Sequence, residues 1–120
     1  MEPKLGRLKK EKQIAALFDK GAVIKHFPLL LFYAPSAEWQ SGVSVSKRLF
    51  KRAVDRNRVK RLLRESVRGC WPLIISSNHA PCSFMVLYIG KTLPTFEEVG
   101  KCSGALFAKF IKRHNSDNNE

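Results

Sequence analysis

The densest chemistry in the chain lies between Lys47 and Arg68, KRLFKRAVDRNRVKRLLRESVR, where ten of the 22 Lys and Arg residues meet only two acids, Asp55 and Glu65. A guanidinium group is planar, permanently charged and donates through a fork that matches phosphate oxygens two at a time. On a helical projection at about 100° per residue, Val59, Leu62, Leu63 and Ser66 fall on one side, in the i, i+3, i+4, i+7 pattern of a buried face. Arg56, Lys60, Arg61, Arg64 and Arg68 gather on another, and Arg56 and Arg61 are expected to be exposed. An ordinary solvated helix surface mixes signs through i, i+4 pairs of Glu with Lys. With so little acid available, this surface reads as a phosphate-binding face, and nucleic acid as its partner.

Hydrolytic chemistry by the protein itself needs a nucleophile, a base or a metal set within mutual reach, and none is visible. Glu2, Glu11, Asp19 and Glu38 are isolated, Glu97 and Glu98 suit a helix start, and Asp117 and Glu120 sit in a polar tail. None resembles a two-metal nuclease cluster. Cys70, Cys82 and Cys102 are odd in number and share no CxxC spacing, so they read as buried reduced thiols. His26, His79 and His114 lie too far apart to suggest zinc. No catalytic and no metal-ligating residue is expected.

The elements that must position the basic face follow from pattern. A first helix spans about Lys10 to Lys20, with Ile14, Leu17 and Phe18 on one face and Gly21 as its stop. Phe27 to Ala34, FPLLLFYA, reads as a strand covered on much of both faces; Pro35 to Gln40 is a loop. Ser41 to Ser46 alternates Val43 and Val45 with small residues and reads as a second strand. It feeds the basic helix, which starts around Arg52 to Asp55 and frays near Gly69. Trp71 to Pro81 is expected to be an irregular loop anchored by Leu73, Ile74 and Ile75. Ser83 to Ile89 is a third strand. Thr95 and Glu98 form a capping box for a last helix that ends near Arg113 and buries Val99, Cys102, Leu106, Phe107, Phe110 and Ile111.

A chain of 120 residues with 44% hydrophobic content suits one domain. Residues 1–113 are expected to form it, and the polar segment 114–120 to be a disordered tail. The formal charge of +12 raises local phosphate concentration and association rate without fixing a fold. An anionic membrane is the competing polyanion, but the apolar side of the basic helix is committed to a core rather than free to lie in an interface. No run approaches a membrane span, and the start lacks the apolar region of a secretory signal. A cytoplasmic protein is expected. The order helix, strands, helix, strand, helix gives an α/β sandwich with helices packed on one small sheet.

Ser44-Val45-Ser46-Lys47-Arg48, followed by Ala53-Val54-Asp55-Arg56-Asn57-Arg58-Val59-Lys60-Arg61-Leu62-Leu63-Arg64-Glu65, closely resembles the signature of the bacterial ribonuclease P protein subunit, with Arg56, Asn57 and Arg58 as its R-N-R core. The resemblance implies an α+β two-layer sandwich like domain 2 of ribosomal protein S5, with a small mixed sheet. It also implies that the basic helix sits in a left-handed β-α-β crossover, where pattern alone predicts a right-handed one. In that family a large RNA subunit performs magnesium-dependent hydrolysis and the protein helps it bind precursor tRNA and remove the 5′ leader. The implied partners are therefore the catalytic RNA and precursor tRNA, with no membrane and no protein partner required. Mg2+ works with the RNA and is not held stably by the protein alone.

By the same resemblance Arg52, Arg56, Asn57, Arg58, Lys60, Arg61, Arg64 and Arg68 face the RNA subunit. Ile14, Phe18, Phe32, Ser44, Ser46, Lys47 and Arg48 line a cleft between the first helix and the sheet that takes the single-stranded leader. Rings suit that task because they stack on any base, and strand alternation sends Phe32 and Tyr33 to opposite faces. Two departures from the family pattern stand out. Ile14 replaces a usual aromatic, and Leu49-Phe50-Lys51-Arg52 is one residue longer than the usual turn. A small ribosomal or ribosome-assembly protein that binds rRNA is the alternative reading, and an independent nuclease a third.

Overall fold

The computed structural model describes residues 4–77 and 80–118. Its elements run β1 (Gly6–Arg7), α1 (Glu11–Lys20), β2 (Ala22–His26), β3 (Leu29–Pro35), β4 (Gln40–Val45), α2 (Ala53–Ser76), β5 (Cys82–Tyr88) and α3 (Phe96–Asn118). The strands form one mixed sheet in the order β1-β4-β5-β3-β2. β4 and β5 are parallel neighbours, so α2 is the crossover between them, while β3 runs antiparallel to both β5 and β2.

β5 is central, which is why its sequence is an almost unbroken apolar run. Its alternate side chains serve two clusters. Phe84, Val86 and Tyr88 join Leu29, Leu31 and Tyr33 of β3 beneath α2 and α3. Met85 turns the other way and meets Phe32, Leu8 and the α1 residues Ile14 and Leu17. α2 contributes Val59, Leu63, Val67 and Ile74 to the main core, and α3 contributes Val99, Leu106, Phe107 and Phe110. Between these two helices the buried hydroxyls of Ser66 and Ser103 lie 2.8 Å apart and satisfy each other. No described helix is long and apolar enough to cross a membrane.

The expected helix starts and stops are present. Thr95 Oγ1 accepts the Glu98 N–H at 3.2 Å, one limb of the capping box. Gly21 donates its N–H to Leu17 O and ends α1 with extended rather than left-handed backbone (φ −69°, ψ 155°). A Cβ there would stand 2.5 Å from Leu17 O and 3.1 Å from Tyr33 O, so glycine is required by close approach.

Several boundaries differ from the pattern reading. β1 and β2 were not expected. β1 is only two residues long, and β2, AVIKH, buries Ile24 but exposes Val23 and Lys25. β3 begins at Leu29 rather than Phe27, because Phe27 and Pro28, joined by a cis peptide bond, form the turn from β2. α2 does not fray near Gly69 but continues to Ser76 through much of the expected loop. Trp71 packs edge-on against Trp39 with ring centroids 5.4 Å apart, and Ile74 is fully buried. That burial offsets the helical hydrogen bond that Pro72 cannot donate. Asn78 and His79 of the expected loop lie outside the described residues. α3 extends five residues past Arg113 to Asn118, so helical backbone occupies most of the segment read as a tail. Residues 119–120 lie outside the described residues.

Candidate nucleic-acid interface

From Asn57 to Arg68 α2 separates core from charge. Val59, Leu63, Ser66 and Val67 are buried, whereas Asn57, Arg58, Arg61, Arg64 and Arg68 are exposed and Lys60 is half-buried. Arg61 Nε lies 3.5 Å from Glu65 Oε1. As a solvent-exposed pair it contributes about 0 to 1 kcal/mol, so it leaves the guanidinium ready for a stronger acceptor. At the helix start Arg52 stands exposed at the N-cap, 4.0 Å from Asp55. Among the described residues, Arg58, Lys60, Arg64 and Arg68 form no ion pair.

Arg56 departs from the expected exposure. It is half-buried, and its Nη1 donates to the carbonyls of Phe50 (2.9 Å) and Lys51 (2.8 Å) in the turn before the helix. Arg56 stands three and seven residues before Val59 and Leu63, in the stripe that packs inward. At the first turn of the helix that stripe meets the incoming chain instead of the sheet.

Beside α2 is a cleft of about 800 Å³. β1 covers β4 only at Gln40 and Ser41, and the cleft opens next to this short pairing. Lys60, Arg64 and Arg68 form one wall, Lys4 and Arg7 belong to the arm around β1, and Ile14 comes from α1. Among the described residues, no acid lines it. Gly42 and Met85 supply apolar lining, and a Cβ on Gly42 would stand 2.7 Å from Met85 Cε, so glycine lets the thioether lie against β4. A lining of cations over apolar surface suits a phosphodiester chain carrying bases or sugars.

The structure brings together part of the set expected for a leader. Phe18 and Phe32 are edge-on with centroids 4.8 Å apart. Phe32 lies on the α1 side of the sheet, while Tyr33 packs on Phe110 on the other, as strand alternation requires. Ser44 pairs with Leu87 in the register that pairs Gly42 with Met85, which places Ser44 on the same side as Phe32. Ile14 is half-buried against Leu17 and Met85 and also lines the cleft, so it joins the two expected surfaces. Lys47 and Arg48 are exposed in the turn after β4. Ser46 is occupied locally: its Oγ accepts the Arg48 N–H at 3.2 Å.

Lys4, Arg7 and Trp71 were not singled out by sequence reasoning. The cluster of cations in KLGRLKK carried a signal for the first two, whereas Trp71 was masked by the neighbouring proline. No group of three or more His, Cys, Asp or Glu among the described residues could hold a metal ion. Burial pushes the Cys82 thiol up to about 11 and raises Cys70 as well. Both stay protonated at neutral pH and are poor nucleophiles.

The family model for Ribonuclease P matches residues 2–110. A ribonuclease P protein component from Staphylococcus carnosus is 31% identical over 115 residues, covering 88% of this chain and 96% of that protein. Another, from Exiguobacterium sp., is 35% identical over 83 residues and covers 68% of each. Among solved structures, the Staphylococcus aureus RNase P protein superposes with a TM-score of 0.70 at 21% identity, over 88% of this chain and 94% of that one.

Proposed function

The chain belongs to the ribonuclease P protein family, whose role is in tRNA 5′ processing, and we propose that it works there as an RNA-binding subunit with two surfaces. The exposed side of α2, with Arg52, Asn57, Arg58, Lys60, Arg61, Arg64 and Arg68, holds the catalytic RNA. The α1 side of the sheet, with Ile14, Phe18, Phe32, Ser44, Ser46, Lys47 and Arg48, takes the 5′ leader of precursor tRNA. The observation that supports this most is the cleft where Ile14 of α1 and Lys60, Arg64 and Arg68 of α2 share one lining that holds no acid among the described residues. A strand of RNA leaving the α2 surface can enter the α1 surface without crossing a negative barrier.

The division of labour follows from the side chains. Ammonium and guanidinium groups neutralise phosphates and orient a strand, but they repel a divalent cation rather than ligate it. The basic face of α2 thus does not fit a resident Mg2+; in this reading the ion enters through the RNA's own phosphates and the hydrolytic step belongs to the RNA. Site of action is the cytoplasm, in complex with that RNA.

Each phosphate neutralised contributes about 0.7 to 0.9 to the slope of log K against log salt. Arg61→Ala combined with Arg64→Ala is expected to lower affinity for the RNA subunit and flatten that slope by about 1.4 to 1.8, two contacts' worth. A salt titration of complex formation checks this. An unchanged slope in a folded double variant removes α2 from the interface.

A further inference from the structure

β4 delivers the chain into a turn, residues 46–52, that ends at the N-cap of α2. Phe50 donates its N–H to Ser46 O at 3.1 Å, and its buried ring lies 5.9 Å from that of Tyr88. The N-cap residue, Arg52, makes no side-chain capping hydrogen bond. Instead Arg56 reaches back from the helix, and one nitrogen, Nη1, donates to both Phe50 O and Lys51 O. Moving this guanidinium onto a phosphate would break both bonds, one of them to the part-buried carbonyl of Phe50, a loss that Arg58 and Arg61, which hold no backbone carbonyl, do not face.

We propose that Arg56 is a positioning residue: through the carbonyls of Phe50 and Lys51 it fixes the turn that carries Lys47, Arg48 and Lys51, and it does not itself bind RNA phosphate. Those three cations are exposed and flank the start of the basic helix. Held in one arrangement, they extend the phosphate-binding surface of α2 toward the α1 side. What the turn does for RNA rests on the function proposed above; the clasp itself does not.

The test is a coupling measurement. Affinity and its salt slope are determined for the native chain, for Arg56→Gln, for a turn variant carrying Lys47→Ala, Arg48→Ala and Lys51→Ala, and for the combination. The probes are the RNA subunit and a short polyuridine. Arg56→Gln is expected to weaken binding on the order of tenfold with the native turn, within the range of coupling for residues in one network. It should change neither affinity nor slope once the turn cations are gone. A phosphate ligand would behave additively, flattening the slope by about 0.7 to 0.9 in both backgrounds, and that result overturns the proposal. If Arg56→Gln fails to fold, Arg56→Lys is read in the same two backgrounds, where any loss must again vanish in the turn variant. Hydrogen exchange adds a readout without RNA: the Arg48 and Phe50 amides should exchange faster in the variant while those of β5 do not, and unchanged exchange also overturns the clasp. Should the RNA subunit bind no better than polyuridine, the functional reading falls, while polyuridine and exchange still judge Arg56.

Discussion

Phe18 and Phe32 stand edge-on, 4.8 Å apart, and Phe18 remains 38% exposed although it points toward the sheet. A partly open aromatic ring offers an unpaired base a stacking surface worth about 1 to 3 kcal/mol. Phe18→Ala is therefore expected to cost precursor tRNA that much affinity in the holoenzyme while mature tRNA, which has no leader, binds as before. Parallel binding titrations decide it; a fall in thermal stability with equal loss for both ligands returns Phe18 to the core. Single residues were unevenly legible. The opposite facing of Phe32 and Tyr33 followed from strand alternation alone, but Arg56 did not follow from the helical projection. That projection treats every turn of a helix alike, whereas what Arg56 meets depends on the incoming chain.

α2 carries most of the proposed RNA-binding surface, and its length was read least well from the sequence. Pro72 and the serines after it looked like a loop, yet the apolar positions Val67, Trp71 and Ile74 keep helical spacing and supply burial that outweighs one missing hydrogen bond. Ser76 and Ser77 then donate to the carbonyls of Leu73 and Ile74 and finish the helix. Because Pro72 is exposed, Pro72→Ala should restore the donor for Arg68 O without disturbing the core. The expected gain is roughly 1 to 3 kcal/mol, read as a higher thermal midpoint. A lower midpoint would show that the proline ring packs in a way that helix propensity ignores. β1 and β2 escaped notice for another reason: two residues, and five residues with only Ile24 buried, give periodicity too little to work on.

At the level of the whole molecule, the order of the longer elements and the β4-α2-β5 unit were readable from apolar runs and turn residues, while the sheet's outer edges were not. Those edges are set by tertiary contacts. β2 is an outer strand, and two of its carbonyls accept from α3: Lys25 O from Lys109 Nζ at 3.3 Å and Val23 O from Arg113 Nη1 at 2.8 Å. Lysine and arginine at a strand edge oppose pairing with another chain. Lys109→Ala with Arg113→Ala is expected to promote concentration-dependent self-association in sedimentation velocity; a variant that stays monomeric at all concentrations would show the edge to be protected otherwise.

In the function proposed above, the chain is a basic scaffold that presents α2 to one RNA and the α1 side of the sheet to another, while the RNA subunit carries the hydrolysis. The most direct measurement is cleavage of a 5′-labelled precursor tRNA at low magnesium with the protein alone, the RNA subunit alone, and both together. Release of the leader at the mature 5′ end should be strong only with both. Cleavage by the protein alone would place the chemistry on its side chains. No enhancement of the RNA, despite tight and salt-dependent binding, would contradict a role in leader removal and point to rRNA as the ligand.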